Sequence, residues 1–159
     1  MTAFDLLKMV LGDVLWSGVA ALGFAVLFNV PKRLLLGCFL CGAVGHTLRT
    51  LCLNSGASVE VGTLIGAGAV GFLSVYLSSR FGVPASIFTV TGAIPLVPGV
   101  FAYQTVIGLL HATSATGSQT VDFLSAAGLN GVRTALILCS LAFGIAAPTL
   151  LLGRSNPAA

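Results

Sequence analysis

The sequence predicts an all-α membrane protein, a bundle of about five transmembrane helices whose fourth helix is broken between Pro95 and Gly99. Hydrophobic residues make up 57% of the 159 residues and charged residues only 7%, whereas a soluble domain carries about 25% charged residues. The apolar runs are long and continuous, while strands of a membrane barrel alternate over about 10 residues. A single transmembrane domain over residues 1–159 is therefore predicted, in contact with the lipid bilayer.

The lengths of the apolar runs place the individual helices, because about 20 residues are needed to cross the hydrocarbon core. The predicted helices cover about residues 6–28, 34–53, 59–79, 84–111 and 121–152. Two interpretations of the last segment are equally consistent with the sequence. Either Asn130-Gly131 divides it into a short interfacial helix and a spanning helix, or it forms one long tilted helix.

The predicted break lies in a stretch without a charged side chain, from Pro84 to Leu110. Proline removes a backbone donor and clashes with the preceding turn, so Pro95 and Pro98-Gly99 are expected to interrupt the helix near mid-depth. A break inside a bilayer persists only where protein or a water-filled cavity surrounds it. Broken helices of this kind form substrate sites in transporters.

The cationic residues favour one orientation in the membrane by a narrow margin. One side of a five-span chain would hold Lys32, Arg33, Arg80 and Arg154, and the other Lys8, Arg49 and Arg133. Positive residues favour the cytoplasmic side. The N-terminus is therefore predicted outside and the C-terminus inside a bacterial inner membrane.

Arg49 and His46 are the first candidate functional residues, because ionisable groups inside a membrane usually face a cavity or a partner. They lie three residues apart and so share one helix face. The guanidinium fork matches a carboxylate with two parallel hydrogen bonds, although snorkelling of Arg49 to the interface is an alternative. His46 could couple proton movement to transport, because imidazole changes protonation near neutral pH.

Asp13 interrupts the first helix, and it could pair with a cation or carry a proton. No partner for it is evident from the sequence. Asp13 and His46 are accordingly the candidate proton-coupling residues.

The half-helix that follows Pro98-Gly99 would present unpaired N–H groups and the positive end of its dipole. Such a terminus attracts anions without a charged side chain. The sequence therefore predicts a site for a carboxylate-bearing substrate, with a structural kink as the alternative. Its candidate substrate-binding residues are His46, Arg49, Pro95, Pro98, Gly99, Tyr103 and Gln104.

Small residues in the third helix predict close packing, since Gly62 and Gly66 are one turn apart and let helix backbones approach. The Cys38-x-x-Cys41 pair is expected to pack as two small apolar residues. No sequence motif of an enzyme is present, and neither a cofactor nor a metal site is predicted. The small, dispersed net charge of +3 gives no basic cluster for nucleic acid.

Several of these motifs together resemble the threonine/serine exporter family. They are Phe28-Asn29-Val30-Pro31-x-Arg33, Gly42-x-x-Gly45-His46-x-x-Arg49, Phe88-Thr89-Val90 and Ile94-Pro95-x-x-Pro98-Gly99-x-x-x-Tyr103. The chain looks most like the small subunit of the split, two-component branch of that family, the YjjB type. The resemblance covers essentially the whole chain.

The resemblance implies export of a small carboxylate together with a larger membrane subunit, the YjjP type, with a homo-oligomer possible inside the complex. Succinate or a similar dicarboxylate is the first expectation, because the short chain resembles the split branch. Export of threonine and serine is the alternative. A scaffold subunit that only stabilises the transporting partner, and a redox protein using Cys38 and Cys41, are the rival hypotheses.

Overall fold

The structure is a computed structural model, and it describes residues 3–152. Six α-helices and two short 3₁₀ turns account for nearly all of these residues, and no β-strand occurs among them. The predicted all-α class is confirmed. Four helices are long and apolar enough to cross a membrane, and a broken helix pair makes a fifth candidate span.

The observed helices lie close to the predicted ones. They are α1 (Ala3–Leu27), α2 (Leu35–Asn54), α3 (Val59–Phe81), α4 (Ser86–Ala93), α5 (Gly99–Ser114) and α6 (Ser118–Leu152). One 3₁₀ turn, Lys32–Leu34, leads into α2, and a second, Ile94–Leu96, continues α4. Contacts within the described residues divide them into two compact units, one of residues 3–96 with 140–152 and one of residues 97–139.

The ends of the helices follow from local chemistry. Pro31 precedes the first 3₁₀ turn, and Asn29 before it takes a left-handed conformation at φ 56°, which asparagine tolerates better than most residues. Ser58 caps α3 because its hydroxyl accepts a hydrogen bond from the Val61 amide at 3.4 Å. Gly82 ends α3 in the left-handed conformation at φ 63°, which glycine adopts without steric cost.

The break in the fourth span is confirmed, and it lies at Val97-Pro98. Pro95 is part of the 3₁₀ turn that ends at Leu96, so this proline does not itself stop the chain from coiling. Pro98 has φ −79° and ψ 57°, and the Gly99 amide donates to the Val97 carbonyl at 2.9 Å. These values define an inverse γ-turn, which separates the second 3₁₀ turn from α5.

The core of the first unit consists of small and medium-sized side chains contributed mainly by α2, α3 and α4. Phe88, Leu34, Leu96 and Val70 are fully buried, and so are Cys38 and Cys41. Glycines let the helix backbones touch, since a Cβ atom at Gly45 would lie 3.3 Å from the Gly66 carbonyl oxygen. Close contact of this kind is how helices associate in lipid, where apolar side chains gain nothing by leaving the solvent.

The second unit is an antiparallel helix pair formed by α5 and the first part of α6. A Cβ atom at Gly108 would lie 3.0 Å from that of Ala127, and one at Gly131 would lie 3.4 Å from Thr105 Cγ2. The Arg133 guanidinium lies 5.9 Å from the centre of the Phe101 ring. Arg133 therefore lies within a helix and contacts an aromatic face, rather than marking a helix end.

The last helix is continuous through Asn130-Gly131, so the second interpretation of this segment, one long helix, is the observed one. Its final part belongs to the first unit, where Gly144 packs against Ala67 and Pro148 against Gly71. Pro148 lies inside the helix and is buried. Arg154 of the sequence-based orientation argument lies outside the described residues.

Candidate functional site

Asp13 of α1 and His46 of α2 form an ion pair in the first unit. The Nδ1 atom of His46 lies 3.0 Å from both carboxylate oxygens of Asp13. The His46 side chain is 30% exposed and the Asp13 side chain 18% exposed, so water screens the pair only partly. The contact gives Asp13 the partner that the sequence did not reveal.

The pair forms because α1 and α2 approach each other closely at small residues. A Cβ atom at Gly42 would lie 2.9 Å from the Ser17 carbonyl oxygen, and one at Gly18 would lie 2.6 Å from Phe39 Cζ. Ser17 also donates its hydroxyl to the Asp13 carbonyl one turn earlier. This local hydrogen bond satisfies the hydroxyl without water, as lipid requires.

Arg49 lies one turn beyond His46 on α2, and it binds the broken span. Its Nη1 atom donates to the backbone carbonyl of Leu96 at 3.0 Å. Leu96 ends the second 3₁₀ turn, where a helix has carbonyls without amide partners and a partial negative charge. A guanidinium at this position therefore caps the C-terminal end of the first half of the span.

The stem of Arg49 passes over the two glycines that the sequence assigned to packing. A Cβ atom at Gly62 would lie 3.2 Å from the Arg49 carbonyl oxygen and 3.5 Å from Arg49 Cγ, and one at Gly66 would lie 3.4 Å from Arg49 Cβ. The structure thus places Gly62 and Gly66 against α2. Their lack of side chains gives Arg49 room to reach Leu96 between the helices.

The three ionisable groups form one electrostatic cluster in the first unit. Arg49 interacts with the charge of Asp13, while Asp13 directs its oxygens toward His46. Guanidinium has five donors, and Leu96 uses one of them in this conformation. The cluster therefore contains a cation with donors to spare, a carboxylate and a group that can gain or lose a proton.

The remaining sequence-predicted residues divide between the two units. Pro95 lies in the first unit, and its Cγ would be 3.6 Å from a Cβ atom at Gly42. Pro98, Gly99, Tyr103 and Gln104 belong to the second unit, where Pro98 is the N-cap of α5. Tyr103 is 66% exposed, and Gln104 and Gly99 are also exposed, whereas Pro98 is buried.

The Cys38 and Cys41 side chains lie in the buried core. The sulfur of Cys38 is 4.0 Å from the Ile87 carbonyl oxygen, and that of Cys41 is 3.9 Å from Ser74 Oγ. Both are free thiols. Within residues 3–152, no three His, Cys, Asp or Glu side chains are grouped as metal ligands would be.

Two contacts of the cluster were missed by sequence reasoning, the Asp13–His46 pair and the Arg49–Leu96 hydrogen bond. Asp13 and His46 lie at similar distances along the chain from the α1–α2 connection at Val30-Pro31, so an antiparallel helix pair brings them to the same depth. That spacing could have identified the pair. The bond to Leu96 involves a backbone atom, and no side-chain pattern marks it.

Two of the matches with known proteins bear on the family of this chain. The family model described as "Threonine/Serine exporter, ThrE" matches residues 13–151. An uncharacterized protein of Haemophilus influenzae (strain Rd) is 35% identical over 147 residues, which are 91% of this chain and 48% of the relative. The chain thus spans about half the length of that curated relative. No solved structure matches.

Proposed function

Because the chain belongs to the threonine/serine exporter family, we propose that it is a membrane subunit of a two-component exporter of small carboxylates. The observation that carries this proposal is the placement of Arg49, whose guanidinium lies between helices beside an ion pair. A cation held there by packed glycines is costly in lipid unless it serves a partner or a ligand.

In this proposal Arg49 binds the carboxylate of the substrate. Its remaining N–H groups can form two parallel hydrogen bonds to one carboxylate, which adds geometric selectivity to charge attraction. His46 lies one turn away on the same helix face and would contact the same ligand. Pro95 would line the site next to Gly42, on the α2 face that carries His46.

The second unit carries its own candidate substrate-binding groups. The amides at the start of α5, which follow Pro98 and include that of Gly99, attract anions as helix N-termini do. Tyr103 and Gln104 offer hydroxyl and amide groups one turn further on, and both side chains are exposed. Their contact with substrate is part of the proposal.

A dicarboxylate such as succinate is the first candidate substrate. It needs two cationic or donor-rich ends, which Arg49 and protonated His46 would supply. Protonation of His46 matters for this candidate, because the Asp13 carboxylate would otherwise repel the second negative end.

A zwitterionic amino acid such as threonine or serine is the second candidate, and one observation favours it. Asp13 gives the cluster a carboxylate close enough to interact with Arg49, so the cluster holds a partner for an ammonium group as well as one for a carboxylate. The matching family is described as an exporter of these two amino acids.

The Asp13–His46 pair is proposed to take up and release the proton that drives export. A histidine paired with a carboxylate can change its protonation near neutral pH. Export of an anion or a zwitterion against its gradient needs an energy source, which in this proposal is a proton gradient, with the partner subunit as the alternative source.

A larger membrane subunit is proposed as the partner, in a bacterial inner membrane. The Haemophilus relative is about twice as long as the matched segment, so a further segment of that protein accompanies the part that resembles this chain. The exposed apolar side chains of the spans would contact lipid or this partner.

Reconstitution into vesicles, with and without the larger subunit, tests the proposal through uptake of labelled succinate, threonine and serine. We expect carboxylate uptake only when both subunits are present. Arg49→Gln should lower it at least about tenfold, because a charge-assisted hydrogen bond contributes about 1.5–3 kcal/mol. Arg80→Gln, at the exposed end of α3, is the matched control and should transport normally.

Uptake by the larger subunit alone would instead assign this chain a scaffold role. Normal uptake by the Arg49→Gln complex would remove Arg49 from the site. The substrate that the wild-type complex concentrates distinguishes a dicarboxylate from an amino acid.

A further inference from the structure

We propose that the backbone carbonyl of Leu96 competes with the substrate carboxylate for Arg49, so that substrate binding releases the broken end of the fourth span. This inference rests on the proposed function and adds a conformational step to the same site. It starts from the one polar contact between Arg49 and the break, the 3.0 Å hydrogen bond from Nη1 to the Leu96 carbonyl.

The Leu96 carbonyl depends on Arg49 because of where the helix stops. In a continuous helix the amide four residues further on would donate to this oxygen. The inverse γ-turn at Pro98 interrupts that helix, and the guanidinium supplies a donor in its place. Arg49 is therefore a positioning residue for the second 3₁₀ turn.

The Leu96 and Pro95 side chains make apolar contacts with α2. The Leu96 side chain is fully buried, and its Cδ1 atom would lie 3.4 Å from a Cβ atom at Gly45. Pro95 lies against Gly42 on the same helix, α2. The turn therefore packs against glycines of α2, whose lack of side chains offers no directional contact. The hydrogen bond from Arg49 supplies a directional contact that holds the turn in position.

A substrate carboxylate is the stronger acceptor for this guanidinium. Hydrogen bonds between two charged groups are roughly twice as strong as neutral ones, and a carboxylate can use two donors of the fork at once. Asp13, the carboxylate that interacts electrostatically with Arg49, has both oxygens directed at His46. An incoming carboxylate would therefore displace the Leu96 carbonyl rather than Asp13.

Release has a structural consequence, because a carbonyl inside a membrane protein must find another partner. The turn would have to move until the Leu96 carbonyl reaches water or a different donor, since irregular backbone persists at depth only beside protein or a cavity. Substrate binding at Arg49 would in this way change the position of the break.

Labelling of a cysteine at position 96 tests the inference in the complex with the larger subunit. The chain carries Leu96→Cys, and its four natural cysteines are replaced by alanine or serine. The rate of reaction with N-ethylmaleimide is then measured with succinate, threonine, serine or the uncharged succinamide. We expect the transported carboxylate to accelerate labelling and succinamide to have no effect.

Variants of Arg49 separate this step from transport. Arg49→Gln should label about tenfold faster without any ligand, as loss of a charge-assisted hydrogen bond of about 1.4 kcal/mol implies. Ligand should not accelerate it further. Arg49→Lys retains a donor for the carbonyl and should label slowly, and Arg80→Gln should behave as the parent.

Hydrogen–deuterium exchange of the segment around Leu96, in the otherwise unaltered chain, repeats the test if Leu96→Cys does not fold. Faster exchange with the transported carboxylate is expected. Normal transport with no effect of ligand on labelling or exchange would overturn the competition and leave the proposed function intact. In a third outcome, the wild-type complex transports no carboxylate, yet the Arg49→Gln variant is labelled fast. That result would support the Arg49–Leu96 contact, but it would contradict both the proposed substrate and the proposed competition.

Discussion

At the scale of individual residues, the Asp13–His46 pair explains how a charge is tolerated inside an apolar bundle. Each group alone would be costly at depth. Together they satisfy one another at 3.0 Å while remaining partly exposed, which leaves a route for a proton. The proposed proton coupling would use this partly exposed pair.

Asp13→Asn is predicted to separate proton coupling from substrate movement. The amide keeps the size of the side chain and can still hydrogen-bond His46, but it has no carboxylate to exchange a proton. In vesicles we expect concentrative uptake driven by a pH gradient to fall at least about tenfold, the effect of a differential interaction of 1.4 kcal/mol. Exchange of labelled for unlabelled substrate at equal pH should persist.

The control for this variant is Asp122→Asn, which alters an exposed carboxylate near the start of α6. It should leave both activities unchanged. Loss of exchange together with concentrative uptake would make Asp13 part of substrate binding or folding. Unchanged gradient-driven uptake would exclude it from coupling.

At the scale of secondary-structure elements, the α2–α3 contact is made by backbone on backbone. A Cβ atom at Gly66 would clash with the Gly45 carbonyl oxygen. Backbone atoms cannot rotate away as side chains do. The position therefore tolerates no side chain unless the two helices move apart.

Gly66→Ala is accordingly predicted to destabilise the protein by about 1–3 kcal/mol, the usual cost of inserting a methyl group into a packed interior. Thermal unfolding in detergent measures the change. Gly68→Ala is the matched control on the same helix, because its Cβ would meet no atom closer than the Gly144 carbonyl oxygen at 4.0 Å. It should be neutral or slightly stabilising, since alanine favours helix more than glycine. Equal stability of the two variants would contradict this account of the contact.

The sequence predicted these elements well, because apolar run length and proline position are local properties. The helix limits agree closely, and the break falls within the predicted stretch. The continuous helix through Asn130-Gly131 could not be distinguished from a divided one, since glycine weakens a helix without necessarily ending it. The partners of Asp13 and Arg49 depend on tertiary contacts, so only the residue types of the site were predictable.

At the scale of the whole molecule, the positions of the cationic side chains bear on the orientation of the chain in the membrane. Arg49 points to Leu96 between helices, and Arg133 contacts Phe101 within a helix pair. Neither is a loop cation of the kind that orients a membrane protein. Lys32 and Arg33 lie at the α1–α2 connection and Arg80 at the end of α3, which strengthens the expected positive side.

We therefore predict that the connection at Lys32-Arg33 faces the cytoplasm and that the N-terminus lies outside. Fusion of a fluorescent protein that folds only in the cytoplasm, and of a phosphatase active only outside it, to each end of the chain measures this. The C-terminal fluorescent and N-terminal phosphatase fusions should be active. Lys32→Glu with Arg33→Glu should reduce this preference, whereas Arg49→Gln should not. The opposite pattern in the unaltered chain would reverse the assignment.

The backbone contact between Gly45 and Gly66 also determines where this protein can bend. Two helices separated by long side chains can slide, because the side chains change rotamer as the helices shift. Because no side chain separates them at this point, α2 and α3 should move together as a rigid helix pair. In the proposed transport cycle, conformational change would then occur mainly at the turn around Leu96. A hydrogen bond from Arg49 is the directional contact that joins this turn to the helix pair. Stiffness at one glycine contact thus assigns the hinge to a different part of the same unit.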